Sequence, residues 1–258
     1  MRPARRVRLE RRGSLGWIVL DRPEAGNALT VEMRAQAVVA LRRAAADETI
    51  AVVVVTGAGG NFCAGGDVSS MPEVEDVWQG RSRTATAQEV VRALLELEKP
   101  CIAAATGSVA GLGVSLFCAC DIRLAEQGTR FLAAFPGVGL VPDGGLLYLL
   151  PRLIGWGRAR DWMLLNRPLD AQEGLAWGLV TQVCPVGELE GAVEEVGARL
   201  AGLPSRAQAL TKAGLRLAAE SSWESTLEFE RMAQGALIVD EEARARVRAF
   251  LDRSRHGL

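Results

Sequence analysis

The sequence has one histidine, His256, among 258 residues. That shortage excludes a Ser-His-Asp hydrolase, which needs an imidazole beside its serine. The half-formed elbow Gly113-Val114-Ser115-Leu116-Phe117 also lacks its last glycine. Gly-Lys-Ser and Gly-Lys-Thr are absent, and Leu116 stands where a dinucleotide fingerprint begun at Gly111 needs its third glycine. Neither standard nucleotide-phosphate loop is therefore present. Cysteines number only five, an odd count that argues against a disulfide framework and for a reducing, cytoplasmic setting. Cys118 and Cys120 lack zinc-site spacing and histidine company, so they read as buried small hydrophobes and no metal site is expected. No apolar run reaches the roughly 18 residues of a membrane span. A formal net charge of −1 gives no general attraction to nucleic acid or to a membrane surface. The six arginines among the first twelve residues fit a hairpin turning at Gly13, with Val7 and Leu9 on one strand and Trp17-Ile18-Val19-Leu20 on the other.

What the chain does have is apolar residues, 49% of the total, enough for a substantial core in one large domain or one domain with an appendage. The organising stretch is Lys99 to Asp121. Cys101-Ile102-Ala103-Ala104-Ala105 reads as a strand buried on both faces. Gly107, Gly111 and Gly113 punctuate a turn, and a helix opens at about Gly113. Free backbone N–H groups and the positive end of the helix dipole make such a turn a seat for an anion or a developing oxyanion. A sibling arrangement lies upstream, where the valine-rich strand Ile50 to Thr56 runs into Gly57-Ala58-Gly59-Gly60-Asn61 and then Phe62-Cys63-Ala64-Gly65-Gly66-Asp67. Ahead of that strand, Thr30 caps a helix from Val31 to Ala46 with apolar positions Met33, Ala37, Val38 and Leu41. Ser69 to Arg83 has no clear period and reads as a mobile segment, and Gln88 to Leu97 as an amphipathic helix.

Past Asp121, Ile122 to Ala125 and Arg130 to Ala133 read as short strands. Asp143 then stands between a proline and two glycines in an otherwise apolar run. Two readings are open for it: a cap for the helix Leu146 to Leu153, or a desolvated carboxylate tuned for proton transfer. Helices are expected over Gly157 to Leu165 and over Leu169 to Trp177, the latter capped by Asp170, with a closing strand at Val180 to Val183. From Glu188 onward four amphipathic helices follow: Leu189 to Leu203, Ala207 to Ala219, Trp223 to Leu237 and Glu241 to Arg253. The expected division is a core over residues 1–187 and a helical region over 188–258.

Several segments together resemble the enoyl-CoA hydratase/isomerase (crotonase) superfamily. They are Arg22-Pro23-Glu24 with Asn27-Ala28-Leu29; Thr56-Gly57 followed by Phe62 to Asp67; Lys99-Pro100 with Gly107 and Gly111; Cys120 to Ala125; and Gly139-Leu140-Val141-Pro142-Asp143-Gly144-Gly145 with Leu150-Pro151-Arg152. The order and spacing carry the resemblance from about Val7 to Phe250. It implies an α/β fold, the ClpP/crotonase-like spiral of repeated ββα units, with a C-terminal helical region that packs subunits into homotrimers or hexamers.

The resemblance also implies chemistry. The family holds a thioester carbonyl between two backbone amides, here those of Gly66 and Leu112; the second position commonly carries glycine, and Leu112 departs from that. Coenzyme A enters as part of the substrate thioester, no separate cofactor being implied. Its binding regions match Ala25, Gly26 and Ala28, then Ala64, Gly65, Asp67 and Val68, with Gly111 and Phe135 beside the acyl group. Asp67 serves either the ligand or its own loop as an N-cap. Hydratases of the family use two glutamates, and the matching positions here are Ser115 and Phe135. Asp143 matches the aspartate of isomerases acting on unsaturated or ring-derived CoA esters, and also the nucleophile of aromatic-CoA dehalogenases. An isomerase with Asp143 as its base is the expectation. A hydratase-type lyase of fatty-acid β-oxidation with atypical residues and a non-catalytic acyl-CoA-binding homologue remain the alternatives.

Overall fold

The computed structural model describes residues 6–255, so Arg2, Arg5 and His256 lie outside the described residues. The main sheet is built from β1 (Val7–Arg12), β2 (Leu15–Leu20), β3 (Val52–Gly57), β4 (Cys101–Ala105), β6 (Ile122–Glu126) and β9 (Gln182–Cys184), in that order across the sheet. β1 and β2 form the expected antiparallel hairpin; every later pairing in this sheet is parallel. Central parallel strands are covered on both faces, which is why their sequences run apolar without alternation. Val52 to Val55 and Cys101 to Ala105 are accordingly all buried. A smaller sheet holds β5 (Ser108–Ala110), β7 (Arg130–Leu132) and β8 (Leu169–Asp170).

Helices cover this frame where the apolar stripe says they should. Thr30 caps α1 (Val31–Ala46) by accepting the Met33 N–H at 3.1 Å. α2 spans Val77–Leu95 and corrects the sequence reading, because residues 77–83 are helical rather than an irregular extension of the loop. The first turn presents Val77 and Trp78 to solvent, each 75% exposed, and those two apolar side chains mask the period. Asp76 starts the helix by accepting the Gln79 N–H at 2.8 Å. α3 is Leu112–Ala119, buried along its whole length, and it begins one residue earlier than expected because Gly111 takes φ 50° and ends the turn.

α4 (Leu146–Ile154), α5 (Trp156–Leu165) and α6 (Ala171–Trp177) follow, with Asp170 capping α6 through the Glu173 N–H at 2.8 Å. The closing strand lies two residues beyond its expected start, at Gln182. Asp121 is structural: its carboxylate accepts the Cys101 N–H at 2.7 Å, tying the start of β4 to the end of α3. Cys118 and Cys120 are buried.

The chain divides into two compact units, with the boundary between Ala198 and Arg199 inside α7 (Leu189–Ala201). The second unit contains α8 (Ser205–Ala218), α9 (Trp223–Ile238) and α10 (Glu241–Arg255). Pro204 precedes α8, and Ser222 caps α9 by accepting the Ser225 N–H at 3.2 Å. Among the described residues no helix is long and apolar enough to cross a membrane.

Candidate active site

The site arises where three segments run side by side. Phe62 N–H donates to Thr106 O at 2.9 Å, Cys63 N–H to Ser108 O at 3.1 Å, and Ala110 N–H returns to Cys63 O at 2.9 Å. The chain leaving β3 is therefore zipped in parallel to the chain leaving β4. A second zipper adds the turn after β2: Ala64 N–H to Gly26 O at 2.8 Å, Leu29 N–H to Gly65 O at 2.8 Å, and Asp67 N–H to Leu29 O at 3.0 Å. Asn27, fully buried with φ 60°, holds that turn by accepting the Arg22 N–H and donating to Ala58 O and Asn61 O.

This arrangement brings Gly65-Gly66 beside Gly111-Leu112. A Cβ built on Gly65 would lie 3.4 Å from the Leu112 nitrogen and 2.9 Å from Ala110 O, and one on Gly111 would lie 3.8 Å from Gly65 Cα. The 2.9 Å contact excludes a side chain at residue 65, and Gly111, at φ 50°, adopts a backbone conformation that suits glycine. Leu112 opens α3, so its N–H has no partner within the helix. Among the described residues neither it nor the Gly66 N–H donates to any protein acceptor. Two unengaged amides on adjoining loops of one cavity, one at a helix start, are donors suited to a partly charged oxygen. The Leu112 side chain turns away into the core at 2% exposure, which is how leucine is accommodated there.

Asp143 is anchored to the same helix. Its carbonyl accepts the Ser115 Oγ–H at 2.9 Å and the Leu146 N–H at 3.1 Å. A Cβ on the following Gly144 would fall 2.7 Å from Leu112 Cδ1. The carboxylate does not cap α4, whose N-cap is Gly145 with no side-chain bond. Instead Asp143 Oδ1 is buried without a hydrogen-bond partner, and burial pushes its pKa above the ordinary carboxylate range, with Arg34 and Arg83 pulling the other way. The structure thus removes the cap reading and leaves the carboxylate desolvated.

Asp143, Gly66, Leu112, Ala28, Ala64, Gly65, Asp67, Val68, Gly111 and Phe135 all line one cavity of about 700 Å³. Ala25 and Gly26 sit on the supporting turn but outside its wall. Asp67 is neither a helix cap nor free. It accepts the Ser69 N–H at 2.9 Å and pairs with Arg22 at 2.6 Å, and the Ser69 bonds and then Arg22 hold its pKa at about 2. Ser115 is fully buried beneath the site, where its hydroxyl supports Asp143 rather than facing a reactant. Phe135 supplies an apolar wall.

Among the wall residues that sequence reasoning misses are its two arginines, Arg34 and Arg83. Arg34 is only 3% exposed; its Nη1 donates to Arg83 O at 3.0 Å and Thr86 Oγ1 at 3.1 Å. Arg83 donates through Nη1 to Ser70 Oγ at 2.9 Å and through Nη2 to Asp67 O. A signal for both exists: Arg34 stands four residues before Val38, on the apolar stripe of α1, and Arg83 four before Ala87, on that of α2.

The family profile described as Enoyl-CoA hydratase/isomerase matches residues 10–256. The chain is 34% identical over 237 residues to the 1,2-epoxyphenylacetyl-CoA isomerase of Escherichia coli, covering 91% of this chain and 90% of that one. It is 30% identical to 4-chlorobenzoyl coenzyme A dehalogenase-2 of an Arthrobacter species, covering 87% and 82%. Its structure superposes on that of an enoyl-CoA hydratase from Polaromonas with a TM-score of 0.92 at 27% identity, covering 96% and 97%.

Proposed function

The chain belongs to the enoyl-CoA hydratase/isomerase family and has its crotonase fold; on that premise we propose that it is an acyl-CoA isomerase whose general base is Asp143. The observation that carries this reading is the buried, unpartnered Oδ1 of Asp143 in a cavity that also presents two free amides. The thioester oxygen sits between the Gly66 and Leu112 N–H groups. Asp143 takes a proton from a carbon near the thioester, and the electron pair delocalises toward that oxygen as an enolate. One such donor is typically worth about 3 to 4 kcal/mol in the transition state. The protonated Asp143 returns the proton at a different carbon, and the double bond moves. No water is added and no electrons leave, so coenzyme A is required only as the carrier of the acyl group.

Ser115 and Phe135 favour isomerisation over hydration, because neither activates water as a carboxylate does. A deuterium-oxide assay with 2-enoyl- and 3-enoyl-CoA esters tests the reading: double-bond migration with isotope incorporation supports it, and accumulation of 3-hydroxyacyl-CoA overturns it. The pH profile adds a second check. Asp143 must be ionised to accept a proton, and its pKa is raised by burial. The acid limb of kcat/KM therefore lies at higher pH than an ordinary aspartate sets. A limb at or below the ordinary value would remove Asp143 from the role.

Self-association is part of the proposal. α8 and α9 have no buried residue, and Leu215, Trp223, Met232 and Ile238 are 61–72% exposed. Exposed apolar surface marks an interaction site, and other copies of the chain are its proposed occupants. A homotrimer or hexamer is the expected mass in light scattering; a monomer at micromolar concentration would contradict it.

A further inference from the structure

Arg34 and Arg83 have no counterpart in the mechanism above. Both side chains line the cavity, and among the described residues neither forms an ion pair with a carboxylate. Asp67, the acid nearest to Arg83 in the hydrogen-bond network, is already paired with Arg22. Asp143 influences both guanidiniums only at a distance. Asp67 also lines the wall but is paired with Arg22, which lies outside it, so Asp143 is left as the one unpaired acid facing the two arginines.

Such an excess is costly where it stands. Arg34 is almost wholly buried, its Nε lacks a hydrogen-bond partner, and Arg83 repels it. Its Nη2 makes no hydrogen bond among the described residues and would lie 2.8 Å from a Cβ on Gly66, beside one of the two free amides. A neutral acyl chain drawn past these groups would strip their remaining water and give nothing back. A carboxylate would receive charge-assisted hydrogen bonds in the geometry that a guanidinium fork fits best.

We propose that Arg34 and Arg83 receive a carboxylate carried by the acyl group, so that the substrate is the CoA monothioester of a short dicarboxylic acid. This rests on the reading of the cavity as an acyl-CoA site and adds its substrate class. The nearness of Arg34 to Gly66 limits the spacing between the two ends of the acyl chain to a few carbons. With the thioester oxygen held at one end and the carboxylate at the other, the intervening carbons are stretched past Asp143. A bound anion also relieves the repulsion between the two arginines, which a methyl-ended chain cannot do.

Calorimetric titration of the full chain with succinyl-CoA and glutaryl-CoA, against butyryl-CoA and pentanoyl-CoA of equal length, tests the inference. The unaltered protein is expected to bind the carboxylated ligands at least about tenfold more tightly. Arg34→Met exchanges the buried charge for an unbranched apolar side chain and gives up the bonds to Arg83 O and Thr86 Oγ1, so circular dichroism first establishes that the variant is folded. It should erase the preference, so that the ratio of the affinities for succinyl-CoA and butyryl-CoA falls from about tenfold to within about twofold of one. Equal affinities in the unaltered protein overturn the proposal without any variant. So does an Arg34→Met protein that loses all four ligands and free CoA alike, which would put the guanidinium on the thioester or the phosphates. If neither free CoA nor any acyl-CoA binds, the acyl-CoA reading itself fails. If butyryl-CoA binds and exchanges its α-proton through Asp143 with no preference for a carboxylate, that reading stands and only the substrate class falls.

Discussion

Asp143→Asn is expected to lower isomerisation by about 100- to 10,000-fold, the usual worth of one positioned general base. The substitution keeps the size and shape of the side chain but replaces the basic carboxylate with an amide, which does not accept a proton in this pH range. What holds the residue in place is main chain: the Ser115 Oγ–H bond to Asp143 O and the packing of Gly144 on α3 are both retained. Acyl-CoA affinity, measured by calorimetry, should therefore stay close to that of the unaltered protein, and the loss should appear in kcat. Stability should move the opposite way. Because the folded state raises the pKa of Asp143, ionising it costs folding free energy as pH climbs from the ordinary carboxylate value through the raised one. Asparagine carries no such cost. The variant should melt higher than the parent near neutral pH, and the difference should vanish in acid, where Asp143 is protonated in both folded and unfolded chains. Unchanged turnover would retire Asp143 as the base. Lost turnover with lost binding would make it a structural residue.

The elements readable from sequence are those in which one physical pattern dominates. Val52 to Val55 and Cys101 to Ala105 are buried on both faces, so apolar density alone is enough to find them. α1 is bounded as its Thr30 cap and 3.6-residue stripe indicate. Failures follow mixed patterns. The first turn of α2 exposes Val77 and Trp78 on a helix whose buried stripe begins further on, and Asp76 as its cap is hidden by the acidic residues around it. The helix expected from Ala207 opens instead at Ser205, directly behind Pro204. The N-cap reading of Asp67 fails because its partner, Arg22, is 45 residues away and reaches it only through the parallel zipper of Gly26–Leu29 with Ala64–Asp67.

The site is legible in part for a related reason. Gly66 and Leu112 offer only unengaged backbone amides, and glycines next to buried strands mark a backbone approach whatever the ligand. Asp143 stands out because a charge in an apolar run between proline and two glycines has few bland uses. Arg34 and Arg83 are easily overlooked, because arginine is so common on solvated helix faces that its position on a buried stripe draws no notice. An arginine three or four residues from consecutive core positions is the sign that a helix points a charge inward. That sign lies in the order of the amino acids alone, and on this chain it marks two charges in the wall that Asp143 shares.

Gly113→Ala should damage both stability and catalysis, and the way the two separate tests the paired amides. A Cβ at residue 113 would sit 2.3 Å from Cys63 O and 3.0 Å from Cys63 Cβ. The nearer atom is backbone, and it is already the acceptor for the Ala110 N–H at 2.9 Å. The methyl group therefore cannot be absorbed by a side-chain rotation: either that hydrogen bond opens or the first turn of α3 withdraws from the Cys63 loop. Phe117 opposes withdrawal, since its ring lies 6.0 Å from that of Phe62 and 5.0 Å from that of Phe131. Strain of this kind costs about 1 to 3 kcal/mol in a packed core, readable by urea unfolding. Any shift of the turn moves the Leu112 amide, adjacent to the substituted residue, away from Gly66, three residues beyond Cys63. Losing one oxyanion donor lowers kcat by about 100- to 1,000-fold. Gly157→Ala is the matched control, because a Cβ there meets nothing within 4 Å and alanine is the better helix former. At a temperature where Gly113→Ala is fully folded by circular dichroism, kcat should still be depressed while Gly157→Ala keeps the parental rate. Full turnover in the folded Gly113→Ala protein would mean that the position of the Leu112 amide does not govern the reaction, and the two-amide seat for the thioester oxygen would fall with it.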